Sequence, residues 1–124
     1  MAKGVKIVRK QNMSYNKYGN KKVVVDGHSF DSKKEARRYG ELKLLARAGK
    51  IKDLELQPKF ELIPTIRTET ETLERVSYYA DFRYYDMTKN CEVVEDVKGY
   101  KTSVYILKKK MLLHKYPDIN FREV

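Results

Sequence analysis

The stretch YYADFRYYDMTKNCEVVEDVKGY, residues 78–100, is expected to bring two carboxylates and a lysine to one place. Val76 to Tyr85 and Cys91 to Val97 are rich in aromatic and β-branched residues, and the polar run Asp86-Met87-Thr88-Lys89-Asn90 between them is a turn signal. A hairpin closed there, through a two-residue or a four-residue loop, puts Asp86 opposite Cys91 and, in the same register, Asp81 opposite Asp96. Directly opposed residues share a face, with Cβ atoms roughly 4.5–5.5 Å apart, and like charges placed so repel. Lys98, two residues past Asp96, projects from that same face, while Ala80, Phe82, Val93 and Val97 project from the other. A divalent cation cancels two such charges, and Mg²⁺ takes oxygen ligands of this kind. The lysine is then placed to orient a water or neutralise a phosphate. The chemistry expected of this constellation is metal-dependent phosphodiester hydrolysis.

Other elements must hold that hairpin. Lys22 to Val25 reads as a short strand, Asp26-Gly27 as a hairpin turn, and His28 to Phe30 as the return. Ser32 caps a helix running to about Ala48, with Gly49 as its stop, and the face carrying Ala36, Tyr39, Leu42, Leu45 and Ala46 packs on a sheet. Arg37, Arg38, Lys43 and Arg47 are expected to be solvated. Ser32-Lys33-Lys34-Glu35 fits the capping box, in which Glu35 only stabilises the helix start. Glu35 is equally a third carboxylate aimed at the hairpin from the first helical turn, and the two roles are compatible.

Leu54 to Ile63 alternates apolar and polar residues as one half-buried strand, placed at an edge by Pro58. Gln57 on it either reaches the carboxylate face, as a supporting residue, or is exposed. Pro64 to Arg75 reads as a loop or β-ribbon tip that turns Glu69, Glu71 and Glu74 away from a polyanion. Gly99 ends the central hairpin, and Thr102 or Ser103 caps a second helix to about Tyr116, with Val104, Leu107, Met111 and His114 as its buried stripe. Ile119 to Val124 can add a last strand.

The chain has 124 residues, enough for one domain with a real core. Its 27 Lys and Arg against 17 Asp and Glu leave a net charge of +10, a surplus that points to nucleic acid as partner. Residues 1–21 form a basic arm carrying Lys3, Lys6, Arg9, Lys10 and Lys17 with no acidic residue, expected to be flexible and to order on nucleic acid, and residues 22–124 form the domain. Lys101, Lys108 and Lys109 extend the basic surface beyond the hairpin. One cysteine and two histidines, on different elements, exclude a disulfide, a zinc cluster built on cysteines and a Ser-His-Asp hydrolase. The chain shows neither a membrane-span pattern nor a secretory signal pattern, so the expectation is no membrane partner and a cytoplasmic location, that of the infected host if the chain is phage-encoded.

An acid-x-Lys triplet is common in a chain that is 35% charged, and three occur here: Asp31-Ser32-Lys33, Glu41-Leu42-Lys43 and Asp96-Val97-Lys98. Only the last follows an apolar run and faces another aspartate across a hairpin. The order of a helix glutamate in SFDSKKEARRY, an aspartate in YYADFRYY, and DVKGY followed by a basic helix resembles the PD-(D/E)xK nuclease superfamily. Many restriction enzymes and Holliday junction resolvases belong there. From about residue 15 onward the chain is also similar to a family of small phage-encoded putative endonucleases.

The resemblance implies an α/β (α+β) fold of restriction-endonuclease-like type: a mixed sheet flanked by two helices, in β-α-β-β-β-α-β order. It implies a Mg²⁺-dependent endodeoxyribonuclease, with Mn²⁺ as a substitute, that selects branched DNA in phage recombination or genome processing. Paired cuts at a junction would need a homodimer. Carried over by motif, Glu35 is the helix carboxylate, linked to the metal directly or through water. Asp81 and Asp96 are the strand ligands, the carbonyl of Val97 completes the metal shell, and Lys98 is the catalytic lysine. Ala80 replaces the proline of the superfamily's name. Asp96 shares the face of Lys98, but a bulge would bring in Glu95 instead. The competing expectation is a non-catalytic basic DNA-binding protein in which Asp81 and Asp96 make ordinary salt bridges to neighbours such as Arg83.

Overall fold

The structure, a computed structural model, describes residues 6–7 and 22–124. Lys3, Arg9, Lys10 and Lys17 of the basic arm lie outside the described residues. Within the arm, β1 (Lys6–Ile7) runs parallel to β4 at one edge of the main sheet.

β2 (Val23–Val25) and β3 (His28–Phe30) form the expected hairpin. Its turn residues Asp26 and Gly27 both take positive φ, 54° and 78°, the sign a tight two-residue turn demands. Ser32 caps α1 (Lys33–Arg47) by accepting the Glu35 N–H at 3.1 Å. Glu35, Ala36, Tyr39 and Leu42 are buried, but Leu45 and Ala46 are exposed because the last turn of α1 runs past the sheet.

β4 (Ile51–Leu56), β5 (Lys59–Ile63), β6 (Ile66–Arg67), β7 (Thr72–Leu73), β8 (Val76–Tyr79), β9 (Phe82–Asp86) and β10 (Cys91–Asp96) follow. The stretch expected as one edge strand over 54–63 is two strands, and β4 lies inside the sheet between β1 and β9. The break comes at Gln57, held at φ 51°, and at Pro58, which is fully buried. The partner strand breaks opposite it, between β8 and β9. There the Gln57 N–H donates to the Asp81 carbonyl at 2.9 Å and the Ala80 N–H to the Pro58 carbonyl at 3.1 Å. β4·β9 and β5·β8 are thus successive halves of one antiparallel ribbon, bent at this point.

The bend changes which face is buried. Leu54, Leu56, Phe82 and Tyr84 pack with Phe30, Tyr39 and Leu42 of the α1 side. Phe60, Leu62, Tyr78 and Ala80 pack in a second cluster with Tyr105 and Leu112. Ala80 therefore does not share the face of Phe82, as simple alternation predicts. Beyond the bend, β6 and β7 form the ribbon tip.

The central hairpin closes through four residues in the predicted register, with Asp86 opposite Cys91 and Phe82 opposite Glu95. Asp86 Oδ1 accepts from the Thr88 and Lys89 N–H groups, and Asn90 takes φ 54°. α2 (Ser103–Lys115) is capped by Thr102, whose Oγ1 accepts the Tyr105 N–H at 3.0 Å. β11 (Phe121–Glu123) lies parallel to β10, giving a mixed five-stranded sheet in the order β1-β4-β9-β10-β11.

α2 is rotated from its expected orientation. Tyr105 and Leu112 are buried and Met111 partly so, whereas Val104, Leu107 and His114 are exposed. The half-buried Lys108 and Lys109 border the packed side with their alkyl stems, which hides the true stripe from an apolar count. Among the described residues, no helix is long and apolar enough to cross a membrane.

Candidate active site

β10 is buried on both faces, so its alternation assigns each side chain to a helix. Val93 belongs to the α1 cluster and Val94 to the α2 cluster. Two residues on, Glu95 faces α1 and Asp96 faces α2.

Glu95 is fully buried and fully committed. Arg38 of α1 grips it with Nε at 2.8 Å and Nη2 at 2.6 Å, and the Tyr84 hydroxyl donates to Glu95 Oε2. Hydrogen bonding to Glu95 holds the Arg38 guanidinium well above its ordinary pKa, and burial first, then the bond to Glu95, raises that of Tyr84. Arg38, expected to be solvated, is the anchor of a buried network. A bulge that would turn Glu95 toward Asp81 is absent from β10, whose pairing with β9 is regular throughout.

Asp96 is buried on the α2 side, and its Oδ1 pairs with Lys98 Nζ at 2.9 Å. The ammonium lies 3.9 Å from the centroid of the Tyr105 ring, a cation–π seat that limits its positions. Asp81, also buried, stands at the bend, where its Oδ2 accepts the Val97 N–H at 2.6 Å and its own N–H donates to the Glu95 carbonyl at 3.0 Å. Burial raises the pKa of the Tyr105 hydroxyl, helped by its bond to Glu123 and by the negative charges of Asp96 and Asp81. Both aspartates therefore act on the α2 side of the sheet, together with Lys98. Arg83 is not their partner: it pairs with Glu55, with Nη2 to Oε1 at 2.5 Å.

Glu35 is buried in the first turn of α1, next to Lys34, whose Nζ donates to the Lys98 carbonyl at 2.9 Å. The start of α1 and the end of the hairpin thus meet. Gln57 is half-buried and tied to Asp81 through the backbone. Lys101, ahead of α2, and Lys109 on it both pair with Glu123, at 3.0 and 3.1 Å, and Lys108 on α2 is half-buried.

Glu123 and Tyr105 are the residues that sequence reasoning missed. In the parallel register Glu123 neighbours Asp96, so it adds a carboxylate beside Asp96 at this end of the sheet. Tyr105 donates to Glu123 Oε2 at 2.5 Å while its ring carries Lys98. The one available signal was the Phe-x-Glu alternation of the last strand.

The family model described as "Protein of unknown function (DUF1064)" matches residues 15–124. The chain belongs to the DUF1064 family. No curated protein matches it. The description names no activity, and the resemblance of this DUF1064 chain to PD-(D/E)xK nucleases is one of motif residues alone.

Among the described residues, no three His, Cys, Asp or Glu side chains converge closely enough to hold a metal ion between them. Mg²⁺ commonly binds through only one or two carboxylates, keeping waters and substrate phosphates as its other ligands. Asp81 and Asp96 fit that demand in type and in placement on a common face, with the carbonyl of Val97 in the adjoining segment. Glu35 is held in the first turn of α1, from which it would reach such an ion through water.

Proposed function

We propose that this chain is a Mg²⁺-dependent DNA endonuclease with a restriction-endonuclease-like fold. The observation that carries the reading is the pair of buried aspartates on the α2 side, Asp81 at the bend before β9 and Asp96 at the end of β10, with Lys98 beside Asp96. Burying two carboxylates costs several kcal/mol per ion, roughly, unless cations and hydrogen bonds offset it, so a fold keeps them where they serve a purpose. The succession α1, β4, β9, β10, α2, β11, with β11 parallel to β10, gives the mixed sheet between helices that the resemblance implies.

Asp81 and Asp96, with the Val97 carbonyl, would hold Mg²⁺, and Mn²⁺ would substitute. The ion supplies polarisation of the scissile phosphate and a water of lowered pKa. The chain's own residues do the rest. The Val97 N–H fixes the Asp81 carboxylate, and Tyr105 seats the Lys98 ammonium. Lys98 orients the attacking water or offsets charge on the phosphate. The positive charge of +10 draws DNA by its backbone, so selection is of shape before sequence. Branched DNA as substrate and a homodimer for paired cuts are part of the same proposal.

One observation favours a second reading. Lys98 already neutralises Asp96, as it would in a non-catalytic DNA-binding protein. Cleavage of labelled duplex, single strand, flap, fork and four-way junction, each in Mg²⁺, in Mn²⁺ and in EDTA, separates the two. Metal-dependent cutting that Asp96→Ala abolishes is the expected result. Binding without cutting on every substrate would sink the nuclease and leave the binding protein.

A further inference from the structure

α2 packs through Tyr105 and Leu112, and beside that packed side it presents a stripe of apolar surface to solvent. Val104 is 61% exposed and Leu107 58%, helical neighbours on α2, and Tyr100, 88% exposed, stands in the segment that joins Lys98 to the helix. Helical geometry places Lys108 on one border of the stripe and the exposed Lys110 on the other. Such surface is uncommon on a soluble chain without a partner.

We infer that this stripe is a track for single-stranded DNA, an inference that rests on the nuclease reading and narrows its substrate to DNA with unpaired bases beside the scissile phosphate. Unpaired bases expose apolar faces and the backbone carries negative charge, so a strand laid along α2 stacks its first base on Tyr100. It sets the next bases against Val104 and Leu107 and its phosphates against the bordering lysines. Single-strand sites combine aromatic platforms and basic borders in this way. Continuity with Lys98 and charge complementarity choose this occupant over a second copy of the chain. A twofold contact through the stripe would set Lys108 and Lys110 of one copy against the same lysines of the other.

The test is binding by the full chain in EDTA, read by anisotropy on a blunt duplex and on the same duplex with a single-stranded tail. 2-Aminopurine in the tail reports stacking by quenching. The tailed duplex is expected to bind about tenfold more tightly than the blunt one. Tyr100→Ala should remove most of that difference and the quench, leaving the blunt duplex unchanged, and Tyr100→Phe should restore both. Leu107→Ser should weaken the tailed complex alone. Equal affinity for the two DNAs, an equal loss on both in Tyr100→Ala, or a changed sedimentation coefficient in Leu107→Ser with DNA binding intact would overturn the inference. Binding is read without cleavage, so a chain that prefers tails yet cuts nothing refutes the nuclease and not the track. A chain whose cutting of every substrate is indifferent to Tyr100→Ala does the reverse.

Discussion

Glu95 and Asp96 are neighbours in sequence, yet strand alternation sends them to opposite faces and opposite roles. Glu95 has no exposed surface and three polar contacts, so Glu95→Ala leaves Arg38 and Tyr84 without their acceptor in the interior. Breaking one partner of a buried pair costs about 3–5 kcal/mol, and urea denaturation should show a loss of that size. Asp96→Asn, which keeps the shape of a side chain on the α2 side, should cost much less stability while abolishing the proposed cleavage. Similar large losses in both variants would mean that Asp96 is structural. Glu123 offers a second test. Its hydrogen bond from Tyr105, then those from Lys101 and Lys109, lower its pKa from 4.5 to about 2. A carboxylate with a depressed folded-state pKa stabilises fully above its unfolded value and loses that contribution as pH falls toward the folded one. Stability should therefore decline between pH 4.5 and about 2, and Glu123→Gln should flatten the decline in that window. An unaltered acid-unfolding curve in the variant would refute the linkage.

The elements show what was legible in the sequence and what was not. The hairpin register was readable because turn chemistry at Asp86 to Asn90 and an apolar run on either side fix it locally. The caps at Ser32 and Thr102 were readable for the same reason. The bend at Gln57–Pro58 was not, because alternation of Leu54, Leu56, Pro58, Phe60 and Leu62 continues unbroken through it while the face it buries changes. Nor was the rotation of α2, because no local signal in the helix tells that Tyr105 meets Glu123, 18 residues on, in β11. The same long-range dependence hid the pairing of Arg38 with Glu95. The bend makes its own prediction. Gln57 pays a backbone cost at φ 51°, which a β-branched residue would raise and glycine would remove. Gln57→Gly should be near neutral or stabilising by up to about 1 kcal/mol, and Gln57→Val should destabilise by more than that. Because the Gln57 N–H holds the Asp81 carbonyl, the Val variant should also lose cleavage more steeply than its melting temperature falls. Loss of activity in strict proportion to unfolding would separate the bend from the site.

At the scale of the molecule, a net charge of +10 favours a polyanion such as the proposed DNA, and the distribution of charge would decide which lysines touch it. Lys101 and Lys109 already share Glu123, and Lys43 pairs with Asp26, so part of the surplus is spent within the fold. The arm differs: residues 1–21 contain Lys3, Lys10 and Lys17 and no carboxylate to neutralise them. Deleting the arm would also remove β1 from the edge of the sheet, so charge is better removed by substitution. Each phosphate neutralised on duplex DNA contributes about −0.9 to the slope of log K against log salt concentration. Lys3→Gln, Lys10→Gln and Lys17→Gln together should make that slope shallower by up to about 3 and weaken binding at low salt far more than at high salt. Melting temperature should stay unchanged, because the substitutions spare Lys6 and Ile7 of β1. A parallel fall in affinity at all salt concentrations would mean that the three lysines act on the fold or on one fixed geometry. An unchanged slope would move the phosphate contacts to the domain itself, where Lys33, Lys34 and Arg37 stand exposed at the start of α1, beside the end of the central hairpin.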